Sequence, residues 1–185
     1  LSNNERDMMF EVNHGPFLVD NNMLCSPASI YSVSRGGAYV HNLILGRCDV
    51  NHAETRSTPY LFPHSTEVVE YAEPNPSGDE RFYNNIFYGY GLATYDAATL
   101  PVFMEGNVFL NGATPSTNEV SPLIETSSSA IRLIPEADGA YLHVSYDSSW
   151  GTVSRPLVTT ELLGIAVVPD VPFEQPDGSP YLIDM

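Results

Sequence analysis

Acidic side chains gather where a series of short apolar segments is interrupted by a long polar stretch. This stretch covers about residues 47–80, and Glu67 and Asp79 stand near its end. Hydrolysis of a glycosidic bond uses two carboxyl groups, one held protonated as the acid and one ionised to attack the sugar or activate water. We therefore predict Glu67 and Asp79 as the catalytic pair. Three further acids in the stretch compete for these roles: Glu54, Glu70 and Glu80.

Other side chains in and beside this stretch are suited to holding a sugar. His41 and His64 can donate hydrogen bonds to sugar hydroxyls or orient an acid. Arg81 can pair with a carboxylate and lower its pKa. Rings that can stack on a sugar are Tyr60, Phe62 and Tyr71. The predicted substrate-binding residues are His41, Tyr60, His64, Glu80 and Arg81.

Each of these residues also has a purely structural interpretation. The chain contains 23 acidic residues, so any one of them is most often a solvated surface group. His41 stands beside an asparagine and can simply satisfy a corner, and His64 can close a turn. Arg81 can serve only to neutralise Asp79 or Glu80. Spacing alone does not show that two carboxylates converge.

The elements that must position these groups are short strands marked by a recurring asparagine. Asn22, Asn42, Asn85 and Asn107 each lie in a short apolar segment, at successive spacings of 20, 43 and 22 residues. A period near 20 residues in short strands predicts a β-solenoid, whose neighbouring coils bury each other's apolar faces. The asparagines then predict a ladder of hydrogen-bonded amides. The alternative is a set of unrelated strands that share a common turn residue.

This pattern divides the chain into three regions. We predict parallel β-helix coils over residues 1–112, with an inserted loop at about 47–80 that lies on the binding face. Residues 113–121 are predicted to be a linker. Residues 122–185 contain several short strands separated by turn signals, which predict a small antiparallel β-sandwich.

The composition limits the partners of the protein. Seven arginines, no lysine and 23 acidic residues give a net charge of −16, and such a surface repels nucleic acid. The absence of lysine fits adaptation to high salt and a GC-rich genome equally well. No apolar run approaches the roughly 20 residues of a membrane-spanning helix. Neither a CxxC nor an HExxH pattern occurs, so no metal or other cofactor is predicted. Cys25 and Cys48 are predicted to be small buried hydrophobic residues.

Three strings of residues resemble those of a known group of proteins. They are Gly36-Gly-Ala-Tyr-Val-His-Asn42, Thr58-Pro-Tyr-Leu-Phe-Pro-His-Ser-Thr-Glu67 and Gly78-Asp-Glu-Arg-Phe-Tyr-Asn-Asn85. They resemble bacterial right-handed parallel β-helix proteins that act on carbohydrates, and are similar to glycoside hydrolases of the family 120 β-xylosidase type. Residues 157–164 and 176–180 resemble the β-sandwich that accompanies the helix in such proteins. The implied fold class is all-β: a right-handed parallel β-helix followed by a small antiparallel β-sandwich.

The resemblance implies a glycoside hydrolase that acts on plant or microbial polysaccharide fragments, with xylose, arabinose or fucose at the reactive end. It implies a retaining mechanism with paired carboxylates. It covers most of this chain but only the C-terminal part of a typical member, so a longer protein with further N-terminal β-helix coils is expected. A polysaccharide lyase and a non-catalytic carbohydrate-binding β-solenoid stay open as alternatives. Because enzymes that act on polymers are usually exported, we expect an extracellular or periplasmic location.

Overall fold

Short strands make up nearly all the regular structure of this chain. The computed structural model describes residues 1–62, 64–71, 77–126, 131–145 and 147–183, with the backbone alone at 69–71. In these residues the strands, in chain order, are β1 (Arg6–Phe10), β2 (Phe17–Asp20), β3 (Met23–Leu24), β4 (Ala28–Ser32), β5 (Gly37–Val40), β6 (Leu43–Ile44), β7 (Arg47–Val50), β8 (Pro59–Leu61), β9 (Val68–Tyr71), β10 (Arg81–Tyr83), β11 (Ile86–Tyr88), β12 (Phe103–Glu105), β13 (Val108–Leu110), β14 (Glu119–Val120), β15 (Leu123–Ile124), β16 (Ile131–Glu136), β17 (Gly139–Val144), β18 (Val158–Thr159), β19 (Ile165–Ala166), β20 (Val171–Pro172) and β21 (Leu182–Ile183). The helices are α1 (Thr160–Leu163) and the 3-10 helices Ala93–Ala97 and Ser148–Thr152.

Most strands stack into three short parallel sheets. The first sheet has the order β1–β4–β7, the second β14–β12–β10–β5–β2 and the third β15–β13–β11–β6–β3. Between β2 and β7 the chain visits the second, third and first sheets in turn, so each strand lies beside its counterpart from the next layer. Beyond β7, the 3-10 helix Ala93–Ala97 lies against the first sheet. Neighbouring layers therefore bury one another, as the repeat predicted.

The predicted asparagine ladder is confirmed. The Asn22 backbone N–H donates to Asn42 Oδ1 over 2.9 Å. The Asn42 N–H donates to Asn85 Oδ1, and the Asn85 N–H to Asn107 Oδ1, each also over 2.9 Å. Glu119 occupies the next position, where its Oε1 accepts from the Asn107 N–H at 3.1 Å and its Oε2 from Asn107 Nδ2 at 2.7 Å. The ladder therefore ends on a carboxylate that the spacing did not predict.

Aromatic rings fill the interior between the sheets. Phe82 lies opposite Tyr39 in the second sheet, and their rings stack with centroids 4.6 Å apart. Phe87 and Phe109 stack in the same way in the third sheet, at 5.3 Å. Stacking of this kind adds to the free energy gained by burying the rings. Neither cysteine forms a disulfide; Cys48 is buried among these rings, whereas Cys25 is half-buried.

The C-terminal segment, residues 158–183, packs on the face of the second sheet that points away from the interior. Its strands pair only two at a time, β18 with β21 and β19 with β20, both antiparallel. The side chains that join it to the sheet form one apolar cluster: Ala38, Val40, Tyr83, Val158, Leu163, Ala166 and Phe173. The segment therefore covers the second sheet and forms with it an apolar cluster separate from the interior between the sheets.

The predicted fold class, a right-handed parallel β-helix followed by a small antiparallel β-sandwich, is wrong. In place of such a helix, the described residues form three parallel sheets whose strands are only two to five residues long. In place of a sandwich, residues 131–183 supply separate two-stranded pairs. The physical reason is that β18 to β21, with two residues each, present too little apolar surface to make a second sheet, so the segment buries its apolar side chains against β5 and β10 instead. The longer strands β16 and β17 are largely exposed.

The segment predicted as an inserted loop contains the antiparallel hairpin β8–β9. The parallel pairing also continues past residue 112, because β14 pairs with β12 and β15 with β13. The division into domains at residues 112 and 121 stays a prediction. Among the described residues, no helix has both the length and the apolar character that crossing a membrane requires.

Candidate functional site

A groove of about 590 Å³ opens where the β8–β9 hairpin, the loop after β1 and the C-terminal segment meet. Its volume lies in the range of roughly 300–1,000 Å³ that is typical of ligand pockets. The aromatic side chains that line it are Phe10, Phe17, Tyr60, Phe62 and Tyr181. The polar side chains that line it are Asn13, His14, His64 and Glu174. Such a mixture of rings with a few polar groups suits a ligand that has both apolar faces and hydroxyls.

The groove's floor is held by the loop between β1 and β2. Phe10 and Phe17, at the two ends of this loop, stack with ring centroids 4.5 Å apart. Between them, Gly15 has a φ of 72°, and a Cβ at this position would lie 2.2 Å from the Gly36 carbonyl oxygen. Only glycine allows the loop to approach the next layer so closely.

His64 and Glu174 meet across the groove from distant parts of the chain. His64 Nε2 lies 3.0 Å from Glu174 Oε1. His64 belongs to the β8–β9 turn, where the Phe62 N–H donates to the Glu67 carbonyl over 3.1 Å. Glu174 follows β20 and pairs with Pro180 in a single antiparallel bridge. The contact therefore ties the hairpin to the C-terminal segment and places one carboxylate at the groove.

His14 is fixed as a neutral ring. Its Nδ1 accepts a hydrogen bond from Arg35 Nε over 2.8 Å, so its Nε2 carries the proton and donates to the Thr58 carbonyl over 2.9 Å. Burial lowers the pKa of His14; the hydrogen bond to Thr58 opposes this shift, and the nearby charge of Arg35 adds to it. The ring is only 2% exposed. It therefore serves as a rigid part of the groove wall and stays uncharged at neutral pH.

Asp79 and Arg81 form a buried ion pair beneath the C-terminal segment. Arg81 Nη1 donates to Asp79 Oδ1 over 2.6 Å, and the Val167 N–H donates to Asp79 Oδ2 over 2.8 Å. Arg81 also donates to the carbonyls of Leu163 and Ile165, over 2.8 and 2.7 Å. Burial raises the pKa of Asp79, although the charge of Arg81 acts to lower it. The pair clamps the segment to the second sheet.

Glu80 lies on the other side of the same backbone, in the interior. Its side chain has no exposed surface, and neither carboxyl oxygen has a hydrogen-bond partner in the part of the chain that the structure describes. Burial raises the pKa of Glu80 far above its usual range, the charge of Asp79 adds to this, and Arg81 opposes it. Glu80 lies close enough to Tyr39 to contribute, after burial, to the raised pKa of that phenol. Glu80 is therefore directed toward the aromatic core and away from the groove.

The structure brings some of the predicted site residues together and separates others. Tyr60 and His64 line the groove, as does Phe62. Glu67 is exposed in the β8–β9 turn, and its N–H donates to Ser65 Oγ over 2.9 Å. The predicted residues absent from the groove lining are His41, Glu67, Asp79, Glu80 and Arg81. The side chains of Glu70 and Tyr71 lie outside the described residues.

Two other predicted candidates belong to local networks. His41 has a left-handed backbone, with a φ of 53°, and its Nε2 accepts from Asn84 Nδ2 over 3.1 Å. Glu54 accepts from Arg56 Nη2 over 2.7 Å, and hydrogen bonds from Arg56 lower the pKa of Glu54 to about 2. The contacts of His41 match the structural interpretation given to a corner histidine. Glu54 is not a solvated surface group, because its side chain is only 7% exposed and is paired with Arg56.

Sequence reasoning missed His14 and Glu174. A signal for His14 exists, because Arg35 follows it by 21 residues, which is close to one repeat. Residues at equal places in successive layers become neighbours. No comparable signal marks Glu174, because it lies 110 residues after its contact partner His64 in the sequence. The described residues contain no group of three or more His, Cys, Asp or Glu side chains placed to hold a metal ion.

Comparison with known proteins gives a structural likeness. No protein-family model matches the chain, and no curated protein matches it. The chain is similar to XylC, whose solved structure is a complex with xylose, with a TM-score of 0.89 and 32% identity over 98% of this chain. It spans 33% of the length of XylC. The likeness supports a shared fold over the length of this chain, and it does not confirm membership of glycoside hydrolase family 120.

Proposed function

We propose that the groove binds a pentose, and that the chain is part of a glycoside hydrolase that acts on xylosides. The observation that carries the proposal is the aromatic groove with its His64–Glu174 contact, in a chain 32% identical to XylC. The likeness favours xylose over the arabinose and fucose that the sequence left open.

The groove offers the chemistry that a sugar needs. Sugar rings have apolar faces that pack on aromatic rings, and Tyr60 and Phe62 supply such rings on the hairpin side. Hydroxyls need acceptors and donors in fixed positions, which Glu174 and His64 supply. The stacked Phe10 and Phe17 give the groove an apolar floor. The ligand that fits is small, neutral and rich in hydroxyls.

Glu174 is the carboxylate that we assign to the reacting sugar. It is half-buried and held by His64, so its position is defined while part of its surface is open to a ligand. Asp79 has no exposed surface, and both its oxygens are engaged. The assignment of Glu67 and Asp79 as the catalytic pair stays a prediction from sequence, as does the retaining mechanism.

The test is hydrolysis of nitrophenyl glycosides of xylose, arabinose and fucose. We expect activity on the xyloside, and we expect Glu174→Gln to lower kcat by about 10²–10⁴-fold, as loss of a general acid or base does. Glu67→Gln is the matched control, because it makes the same change on an exposed turn, and it should stay within a few-fold of the wild type. If Glu67→Gln and Asp79→Asn lost activity while Glu174→Gln stayed active, the result would contradict the role of Glu174 and support Glu67 and Asp79 as the catalytic pair.

A second candidate function is carbohydrate binding without catalysis. It is favoured by one observation: among the described residues that line the groove, Glu174 alone carries a carboxylate, whereas glycoside hydrolysis uses two. Xylose binding by calorimetry, together with no hydrolysis of any glycoside in the panel, would select this function.

We also propose an extracellular or periplasmic location, because polysaccharide fragments are met outside the cytoplasm. Fractionation of the source cells, with an antibody against the chain, tests this location. Recovery from the cytoplasm alone would contradict it.

A further inference from the structure

Both walls of the groove are tied to buried charged residues outside it. The hairpin wall is the part of β8–β9 that lines the groove, and the C-terminal wall is the part of residues 158–183 that does so. The charged residues are Arg35, Asp79 and Arg81, which are 4%, 0% and 2% exposed. Because a buried ion is costly unless it is paired and hydrogen-bonded, its contacts identify what it holds in place.

Arg35 holds the hairpin wall through His14. Arg35 Nε donates to His14 Nδ1 over 2.8 Å, and His14 Nε2 donates to the Thr58 carbonyl over 2.9 Å. Thr58 directly precedes β8, and the His14 ring meets the Tyr60 ring edge-on, with centroids 6.3 Å apart. A neutral histidine ring has one donor and one acceptor, and both are used here. Without Arg35, Nδ1 would lose its donor, and the proton could reside on either ring nitrogen.

Asp79 and Arg81 hold the C-terminal wall. Asp79 Oδ2 accepts from the Val167 N–H, and Arg81 Nη2 donates to the Ile165 carbonyl. These two contacts fix strand β19, which pairs with β20, and both residues of β20 line the groove. Glu174, which also lines the groove, follows β20 by two residues. The buried ion pair therefore sets the position of the groove's carboxylate.

The corner that carries Arg35 lies where the two walls come together. A Cβ on the next residue, Gly36, would lie 2.6 Å from the His14 carbonyl oxygen and 3.2 Å from the Ala166 Cβ. The loop with His14 and strand β19 therefore meet at this corner. Burial lowers the pKa of Arg35, and the charge of Asp79 opposes this shift, so the two charges attract each other. One arginine thus faces the supports of both walls.

We propose that Arg35 is a positioning residue for the groove, which holds the hairpin wall through His14 and links it to the C-terminal wall through Asp79. Arg35 does not line the groove, so it acts on a ligand only through the groups that it places. The proposal rests on the proposed function where it concerns xylose, whereas the coupling of the two walls is measurable without a ligand.

The first test is hydrogen exchange of single backbone amides in Arg35→Met, which removes the charge and the donors of the side chain. Relative to the Asn85 N–H of the ladder, we expect the Phe62 and Val167 N–H groups to exchange at least about tenfold faster than in the wild type, because both walls open locally. The matched control is Arg47→Met, which removes an exposed arginine that lies outside the groove lining, and it should change none of these rates.

Two further measurements follow the groove itself. Nitrogen-15 NMR of His14 should show a proton fixed on Nε2 in the wild type and a mixture of the two tautomers in Arg35→Met. The xylose affinity, measured by isothermal titration calorimetry of the full chain, should fall at least about tenfold in Arg35→Met and stay within about twofold in Arg47→Met.

The outcomes separate this inference from the proposed function. A uniform rise in exchange at all three amides, an unchanged His14 tautomer or an unchanged xylose affinity in Arg35→Met would overturn the positioning role and leave the proposed function intact. Absence of xylose binding by the wild type would overturn the proposed function, and the exchange and tautomer measurements would still decide the role of Arg35.

Circular dichroism shows whether each variant is folded. If Arg35→Met is not, His14→Phe takes its place, because it keeps a ring and removes both hydrogen bonds of the relay. It should speed exchange at Phe62 and leave Val167 unchanged, since Arg35 and Asp79 stay in place. An unchanged rate at Phe62 in this variant would overturn the relay to the hairpin wall.

Discussion

Asp79 and Glu80 are consecutive residues with opposite surroundings. The Asp79 carboxylate has a cation and a backbone N–H as partners, whereas the Glu80 carboxyl is buried without a hydrogen bond among the described residues. Burying an unpaired ionised carboxylate costs several kcal/mol, so such a group keeps its proton instead. Burial therefore favours the protonated, neutral form of Glu80.

This arrangement predicts a stability that falls as pH rises. The folded state holds the Glu80 proton above the usual glutamate pKa of 4.5, where the unfolded chain releases it. The folded state then binds more protons, so the free energy of unfolding falls by up to about 1.4 kcal/mol per pH unit above that value. Asp79, whose pKa is also raised by burial, adds to the slope in the same direction. Urea unfolding at pH 5 and pH 7.5 measures it.

The control is Glu80→Gln, which keeps the shape of the side chain and removes the titrating group. We expect Glu80→Gln to flatten the pH dependence and to be more stable than the wild type at pH 7.5. An unchanged slope in this variant would show that other groups cause the pH dependence.

For single residues, sequence reasoning succeeded where neighbours in the chain are also neighbours in space. Arg81 was expected to neutralise Asp79 or Glu80 in its structural interpretation, and the pair with Asp79, two residues away, forms. The burial of the pair was not foreseen, because it depends on a segment that starts some 80 residues later. Glu174 was missed for the same reason, since its partner His64 lies in a different element.

We expect loss of the asparagine ladder to lower the free energy of unfolding. Asn85 Oδ1 accepts from both the N–H and the Nδ2 of Asn42, so Asn85→Ala leaves the Asn42 N–H without a partner and leaves Asn42 Nδ2 with only its bond to the Val19 carbonyl. We expect a loss of at least about 2 kcal/mol in the free energy of unfolding, since each buried unsatisfied group costs about 1–3 kcal/mol. Asn22→Ala, at the half-exposed end of the ladder, is the matched control and should cost less than half as much. Equal losses in the two variants would contradict a ladder that is strongest at its centre.

The loop under the groove gives a second element-scale prediction. Gly15→Ala would place a Cβ 2.2 Å from the Gly36 carbonyl at a φ of 72°. We expect it to lower the free energy of unfolding by at least about 2 kcal/mol, because both the strain and the clash must be relieved by moving the backbone. It should also weaken xylose binding, since Phe10 and Phe17 would shift. Gly151→Ala, whose Cβ would meet nothing within 4 Å, is the control and should change neither quantity.

A repeating spacing in the sequence predicts the strands and their stacking well, but it does not predict contacts that do not repeat. The period of about 20 residues predicted the ladder and the stacking of layers, because residues at equal places in successive layers must meet. The β8–β9 hairpin interrupts the period, and nothing in its own residues tells where it packs. The C-terminal strands carry the turn signals of a sandwich, yet they bury their apolar side chains on Ala38, Val40 and Tyr83. Where these strands pack depends on the apolar surface of the second sheet, which their own residues do not reveal.

Net charge dominates the behaviour of the molecule as a whole. With 23 acidic residues against seven arginines, like charges repel over the whole surface. Salt shortens the range of this repulsion from about 30 Å at 0.01 M to about 3 Å at 1 M. We therefore expect Tm to rise with NaCl, by about 2–4 °C for each 1 kcal/mol of repulsion removed.

Thermal scans in 0.01, 0.1, 0.5 and 1 M NaCl test this dependence, and KCl should reproduce it. Scans in sucrose are the control, since sucrose acts through exclusion from the surface and does not screen charge. A Tm that is the same at 0.01 and 1 M NaCl would contradict the expectation. A rise that continues beyond the range in which screening saturates would instead support adaptation to high salt.

The carboxylate that ends the asparagine ladder has a consequence for self-assembly. Each asparagine passes the pattern on, because it accepts from one neighbour and donates to the next, whereas the two carboxyl oxygens of Glu119 both accept. Burial raises the pKa of Glu119, and the hydrogen bonds from Asn107 oppose this shift and favour the ionised form. Beside it, β14 and β15 expose Val120 and Ile124 at the end of the stack, an apolar edge that could template fibrils. A second molecule arriving there would find no donor to continue the ladder and a negative charge facing its backbone carbonyls. We therefore expect Glu119 to disfavour the continuation of the ladder into a second molecule at this edge.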